Sequence, residues 1–214
     1  MNNETTARPQ STFTGGAFSY FFRNLAAAFV TSITFGLLYP VMYCWIQRWV
    51  ASHTYYNGRQ LVFDGKGGQL FGKYIVWLLL TIVTLGIYSL WVPVKMEKWR
   101  VSHLHFADGT PVENGSHFDG SALGYIGRSL LVVLVSTITF GFGIYWGICY
   151  LQRWLTKNTV IDGAKLTFDG TAIKLFGKMI VWFLLTVVTC GIFSFWLPVK
   201  SMKWFVSNTN IVEA

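Results

Sequence analysis

Four stretches of the chain carry no charged side chain: residues 24–47, 74–94, 129–152 and 179–199, of 24, 21, 24 and 21 residues. Each is bounded by a lone Arg or Lys, and each is apolar on all sides, not along one stripe. A helix needs about 20 such residues to cross the hydrocarbon core of a bilayer, so the pattern predicts four membrane helices. Between them the hydropathy changes period. Asn57-Gly58 and Asp162-Gly163 each separate two short β-prone runs, a spacing that predicts small β-hairpins. The middle linker is five residues longer and carries both Asp108-Gly109 and Asn114-Gly115, which leaves its pairing open.

The windows belong to a repeat. Phe13, Phe63, Phe118 and Phe168 each open a unit that closes on Trp49, Trp99, Trp154 and Trp204, at spacings of 50, 55 and 50 residues. Residues 70–102 match 175–207 at 23 of 33 positions, so a module of about fifty residues was duplicated and the pair duplicated again. The expected organisation is a polar tail (1–12), repeat pair one (13–107, modules 13–62 and 63–107), a linker (108–117) and repeat pair two (118–214, modules 118–167 and 168–214).

Two topologies fit a module, and they differ over the Thr-x-Gly near its middle: Thr34/Gly36, Thr84/Gly86, Thr139/Gly141 and Thr189/Gly191. In the first, these residues are kink or packing positions inside one transmembrane helix, where small residues let helices approach. In the alternative, each module is a hairpin of two short membrane helices broken at Thr-x-Gly, which puts all 17 cations on one side. The expectation taken is an all-α integral membrane protein of four kinked spans, because an apolar turn would expose unpaired backbone to lipid. Pro93 and Pro198 are expected to end or bend their helices, and Pro40 to kink the first.

Composition supports a membrane setting. Hydrophobic residues make up 53% and charged residues 12%, about half the usual charged share. The formal net charge of +8 points to anionic lipid and not to nucleic acid, because the cations cluster at the ends of apolar segments. Arg23, Arg48, Lys73, Lys98, Arg128, Arg153, Lys178 and Lys203 are the candidate lipid-headgroup contacts, and the tryptophans beside them read as interfacial anchors. No signal peptide is expected. Cys44, Cys149 and Cys190 lie in apolar windows without metal-ligand spacing and read as small buried hydrophobes. No catalytic, cofactor or metal residue is assigned: the carboxylates all lie outside the windows, and Asp64, Asp119 and Asp169 sit in turn-like Phe-Asp-Gly.

The repeated Phe-Asp-Gly, Leu-Phe-Gly-Lys, Thr-Leu-Gly-Ile-Tyr and Trp-x-Pro-Val-Lys-x-x-Lys-Trp motifs resemble those of a bacterial membrane family of unknown function, the YjgN-like family. The similarity runs from Phe13 to Thr209. It is most specific at Thr84–Trp91 and Thr189–Trp196, and departs at Leu37-Leu38 and Gly143. The resemblance implies a multi-pass location in the bacterial cytoplasmic membrane and no activity. The functional expectation is a passive channel or transporter for small solutes or ions, its pore lined by hydroxyls in a homo-oligomer. The alternative is a lipid-binding or scaffolding protein of the envelope, and neither is an enzyme.

Overall fold

The computed structural model describes residues 10–109 and 115–212. Residues 1–9 of the expected tail, the Asn114 turn signal and residues 110–114 of the linker lie outside that range. The first half runs β1 (Thr12–Phe13), α1 (Ala17–Ile33), α2 (Tyr39–Ser52), β2 (Thr54–Tyr56), β3 (Arg59–Phe63), α3 (Gly67–Val83), α4 (Val92–Val101) and β4 (Leu104–Phe106). The second repeats it as β5 (His117–Phe118), α5 (Ala122–Ile138), α6 (Gly143–Lys157), β6 (Thr159–Ile161), β7 (Ala164–Phe168), α7 (Ala172–Val188), α8 (Leu197–Ser207) and β8 (Thr209–Val212). Each half forms one four-stranded antiparallel sheet, in the order β1-β2-β3-β4 or β5-β6-β7-β8.

The all-α architecture of four kinked transmembrane helices is therefore overturned. Each window is broken by a turn between two helical segments, strands flank every pair, and no helix of the described residues is long and apolar enough to cross a membrane. Within a module the first and last strands pair with each other, Phe13 opposite Thr54 and Phe63 opposite Leu104. Both roots of each helical hairpin are thus held in a sheet, and its Thr-x-Gly turn is the end remote from that sheet.

The turn explains why the helix stops. Thr84 Oγ1 donates to Leu80 O at 2.7 Å and accepts from Tyr88 N at 2.9 Å, so one hydroxyl caps the helix that ends and the segment that begins. Thr34, Thr139 and Thr189 do the same. Leu85 and Gly86 then take positive φ, 49° and 91°, and Gly86 N donates to Thr81 O at 2.7 Å, the six-to-one bond of a Schellman ending.

The expected role of the Thr-x-Gly glycines is corrected with the topology. Gly36, Gly141 and Gly191 repeat the Gly86 conformation at φ 83°, 93° and 90°, and their amides donate to Thr31 O, Ser136 O and Thr186 O. All four are turn residues that terminate a helix, not kinks within one. Nor do they serve close helix packing: a β-carbon on Gly86, Gly141 or Gly191 would meet nothing within 4 Å, and one on Gly36 only the Tyr74 hydroxyl at 3.6 Å. The left-handed backbone, which glycine adopts without a steric cost, is what these positions use. Thr34, Thr84, Thr139 and Thr189 are likewise caps, not kink positions.

The backbone argument against an apolar turn is weakened here, because the turn's amide N–H groups are bonded internally. The prolines begin second helices instead of ending or kinking first ones: Pro40, Pro93 and Pro198 stand in the first turns of α2, α4 and α8, where no amide is missed. Thr84→Val is expected to destabilise the fold by about 1–2 kcal/mol, seen as a lower thermal midpoint in detergent that Thr84→Ser restores.

Phe-x-Gly and the closing Trp form one lock, made four times. The Phe63 and Trp99 rings meet edge to face at 5.8 Å, and a β-carbon on Gly65 would lie 2.4 Å from Phe63 Cζ and 2.8 Å from Trp99 Cη2. Trp49, Trp99 and Trp204 are buried in these locks, and Trp77 and Trp182 in the adjoining core, so these five are core residues and not interfacial anchors. After each Trp a polar side chain bonds back to its carbonyl: His53 and His103 through Nδ1 at 2.8 Å, Asn158 and Asn208 through Nδ2 at 2.6 and 2.7 Å.

The halves are sewn together by the two β-hairpin turns, whose Asn57-Gly58 and Asp162-Gly163 all have positive φ. Asp162 Oδ2 accepts from Phe106 N at 2.6 Å, and Asn57 Oδ1 from Ile211 N at 3.3 Å. Each turn so covers the outer strand of the other half, an edge that would otherwise be open to pairing.

Candidate functional site

The surface that departs most from a water-soluble protein is the far end of the hairpins. Phe35, Leu85 and Phe140 occupy the turns with 96%, 93% and 95% of their surface exposed, and Cys190 is the fourth tip, exposed and not the buried residue expected. All four have φ near 50°, a region that bulky side chains rarely enter. The arms continue the surface. Phe18, Phe22, Leu25, Phe29 and Ile33 form an exposed apolar stripe along α1, and Leu130, Leu134 and Ile138 extend one along α5.

The first cation of each module, Arg23, Lys73, Arg128 or Lys178, stands eleven residues before its Thr, a helical distance of about 16 Å. The second cations, Arg48, Lys98, Arg153 and Lys203, stand in the root halves of the second helices. Arg48 and Arg153 reach across to the next module, donating to Gly65 O at 3.0 Å and Gly170 O at 2.8 Å. Arg23 lies over the Trp45 ring at 4.9 Å and Arg128 over that of Trp154 at 5.0 Å. Lys73, Lys98, Lys178 and Lys203 are exposed. Lys178 and Lys203 meet in one groove with Lys200, Trp182 and Trp204. The Thr-x-Gly residues come together only as turns, each pair (Thr34 with Gly36, Thr84 with Gly86, Thr139 with Gly141, Thr189 with Gly191) within its own module.

A second feature escaped the sequence reading. A cavity of about 180 Å³ lies between the halves, lined by Tyr56, Glu97, Arg100, Gln152 and Thr156 among others. Arg100 Nε donates to Glu97 Oε2 at 2.9 Å, and Nη2 to the other carboxylate oxygen. Burial pulls the Arg100 pKa down, but the Glu97 carboxylate, with smaller help from Tyr43 and Tyr56, more than reverses it, so the guanidinium is held charged. The signal was a break in the repeat, since the corresponding residues in module four are Met202 and Phe205. Arg100→Met is expected to destabilise by about 2 kcal/mol, because it strands the carboxylate. Glu97→Met with Arg100→Phe, the module-four pair, should recover most of that loss in a double-mutant thermal cycle.

The fold and this surface define an internally duplicated α+β protein of four sheet-rooted helical hairpins with bare apolar tips. Comparison with known families agrees with the motifs: the model for a bacterial protein of unknown function (DUF898) matches residues 58–111 and 164–214, once in each half. Together the two matches cover just under half of the chain. Over 48 residues it is 42% identical to the inner membrane protein YjgN of Salmonella typhimurium, a stretch covering 22% of this chain and 12% of that protein. No solved structure matches it.

Proposed function

We propose that this chain is a lipid-embedded protein of the bacterial inner membrane, a scaffold whose hairpins dip into one leaflet while the sheets stay at the surface. The observation that carries this reading is the turn itself: an exposed hydrophobe in a strained conformation, on a backbone whose amide N–H groups are all bonded within the turn. Such a turn has no use for an aqueous setting and suits hydrocarbon. The arm length agrees, because about 16 Å from cation to tip is close to half of a hydrocarbon core of about 30 Å. The name of the YjgN relative supports the location. A route for solutes across the bilayer needs elements that reach both faces, whereas these hairpins turn back near the middle, so scaffolding ranks above permeation.

Cys190 offers the test, since Cys44 and Cys149 are buried. An environment-sensitive fluorophore on Cys190 in reconstituted vesicles is expected to be quenched by lipids carrying a quencher deep in the acyl chain and shielded from aqueous iodide. Efficient iodide quenching with no effect of the deep lipid quencher would refute the insertion.

A further inference from the structure

We infer that the groove between the α7–α8 hairpin and the strand β1 of the opposite half is a specific site for a phosphomonoester headgroup carrying two negative charges. Its volume is about 420 Å³, within the range of ligand sites. Lys178 enters from α7 and Lys200 and Lys203 from α8, while Trp182 and Trp204, both buried, form its apolar wall. Among the described residues no carboxylate lines it and none of the three lysines makes an ion pair. Three ammonium groups gathered without a counter-charge repel one another, and an anion of charge two offsets most of that repulsion.

The internal duplication supplies a comparison. In the first half the same lysines are Lys73, Lys95 and Lys98, but there Lys95 donates to the Tyr88 hydroxyl and lies over its ring at 4.8 Å. In the second half Tyr88 is replaced by Phe193, which has no hydroxyl, and among the described residues Lys200 keeps only a ring contact at 5.2 Å. The amino group of Lys200 is therefore free to donate to a ligand where that of Lys95 is engaged. The height of the groove fits a headgroup, since Lys178 stands about 16 Å of helix from the tip, near the boundary of one leaflet if the tip reaches mid-bilayer. That last step rests on the insertion reading; the charge argument does not.

The test is direct binding to the full chain in neutral detergent, with dioleoyl phosphatidic acid, dioleoyl phosphatidylcholine and inorganic phosphate as probes. Phosphatidic acid should bind saturably, one per chain, and phosphatidylcholine should not. Lys200→Gln with Lys203→Gln should weaken binding about thirtyfold, and the double arginine variant should retain it. Lys165→Gln with Lys174→Gln removes the same charge from exposed positions outside the groove and should leave affinity unchanged. Equal losses in both glutamine pairs, or no preference for phosphatidic acid, would overturn the site. Inorganic phosphate binding as tightly as the lipid, with the same lysine dependence, would replace the headgroup with free phosphate. Loss of lipid discrimination while Cys190 still reports a deep tip removes this site alone; a shallow tip with phosphatidic acid still bound removes only the insertion.

Discussion

Replacing Phe35, Leu85 and Phe140 by Asp together is expected to release the protein from membranes without unfolding it. Each substitution forfeits the burial of a large apolar side chain and puts a carboxylate where hydrocarbon should be, at about 4 kcal/mol per tip and on the order of 12 kcal/mol for three. The turns themselves should not suffer, because these side chains touch almost nothing in the folded chain. Asn at Phe35 and Phe140 sharpens the contrast. A left-handed residue is cheaper as Asn than as Phe, so that variant should raise the unfolding midpoint in detergent by a few degrees while lowering recovery in vesicle flotation. Flotation unchanged in the triple Asp variant would end the insertion reading.

Gly65→Ala combined with Gly170→Ala is the other change expected to have a large effect, this time on folding. The added β-carbons would lie 2.4 Å from Phe63 Cζ and 2.3 Å from Phe168 Cζ, with Trp99 and Trp204 at 2.8 Å on the other side. Those tryptophans are about 95% buried, and neither ring can swing away without opening a cavity. About 3 kcal/mol for each site, and about 6 kcal/mol for two locks in separate halves, is the expected loss. That is comparable to the whole stability of many domains, so the double variant should fail to give a cooperative unfolding transition. Gly68→Ala with Gly177→Ala is the control: these helical glycines have open space around them, and alanine should stabilise.

Much of this was readable along the chain. The four modules, the Phe, Gly and Trp that mark them, and the cations that bound the apolar arms are local and periodic, and they stand in the structure where the repeat puts them. The hairpin turns at Asn57-Gly58 and Asp162-Gly163 were legible for the same reason. What misled was window length. Runs of 21 to 24 uncharged residues suit either one spanning helix or two half-length helices, and hydropathy carries no sign of direction. Two local signals did favour reversal: a Gly just past a helix end, at Gly36, Gly86, Gly141 and Gly191, and a Pro at the start of the next helix in three of the four modules. Both were outweighed by the expectation that an apolar turn cannot satisfy its backbone.

The strands were hidden for a different reason. β1 is only two residues long and pairs with a strand some forty residues away, so no alternating pattern exists to be read. Glu97 and Arg100 were visible as breaks in the repeat, yet nothing local says that they face a cavity between halves.

Amino-acid order thus settled the unit, its multiplicity and which segments avoid charge, because each of these is carried by neighbours a few positions apart. Packing alone settled that the segments fold back on themselves and that Lys178, Lys200 and Lys203 converge beside a strand from the other end of the chain. The reversal depends on one threonine hydroxyl bonding to two segments at once and on two residues in left-handed backbone. The convergence depends on closure of the second half onto the first, a contact between residues more than 160 positions apart.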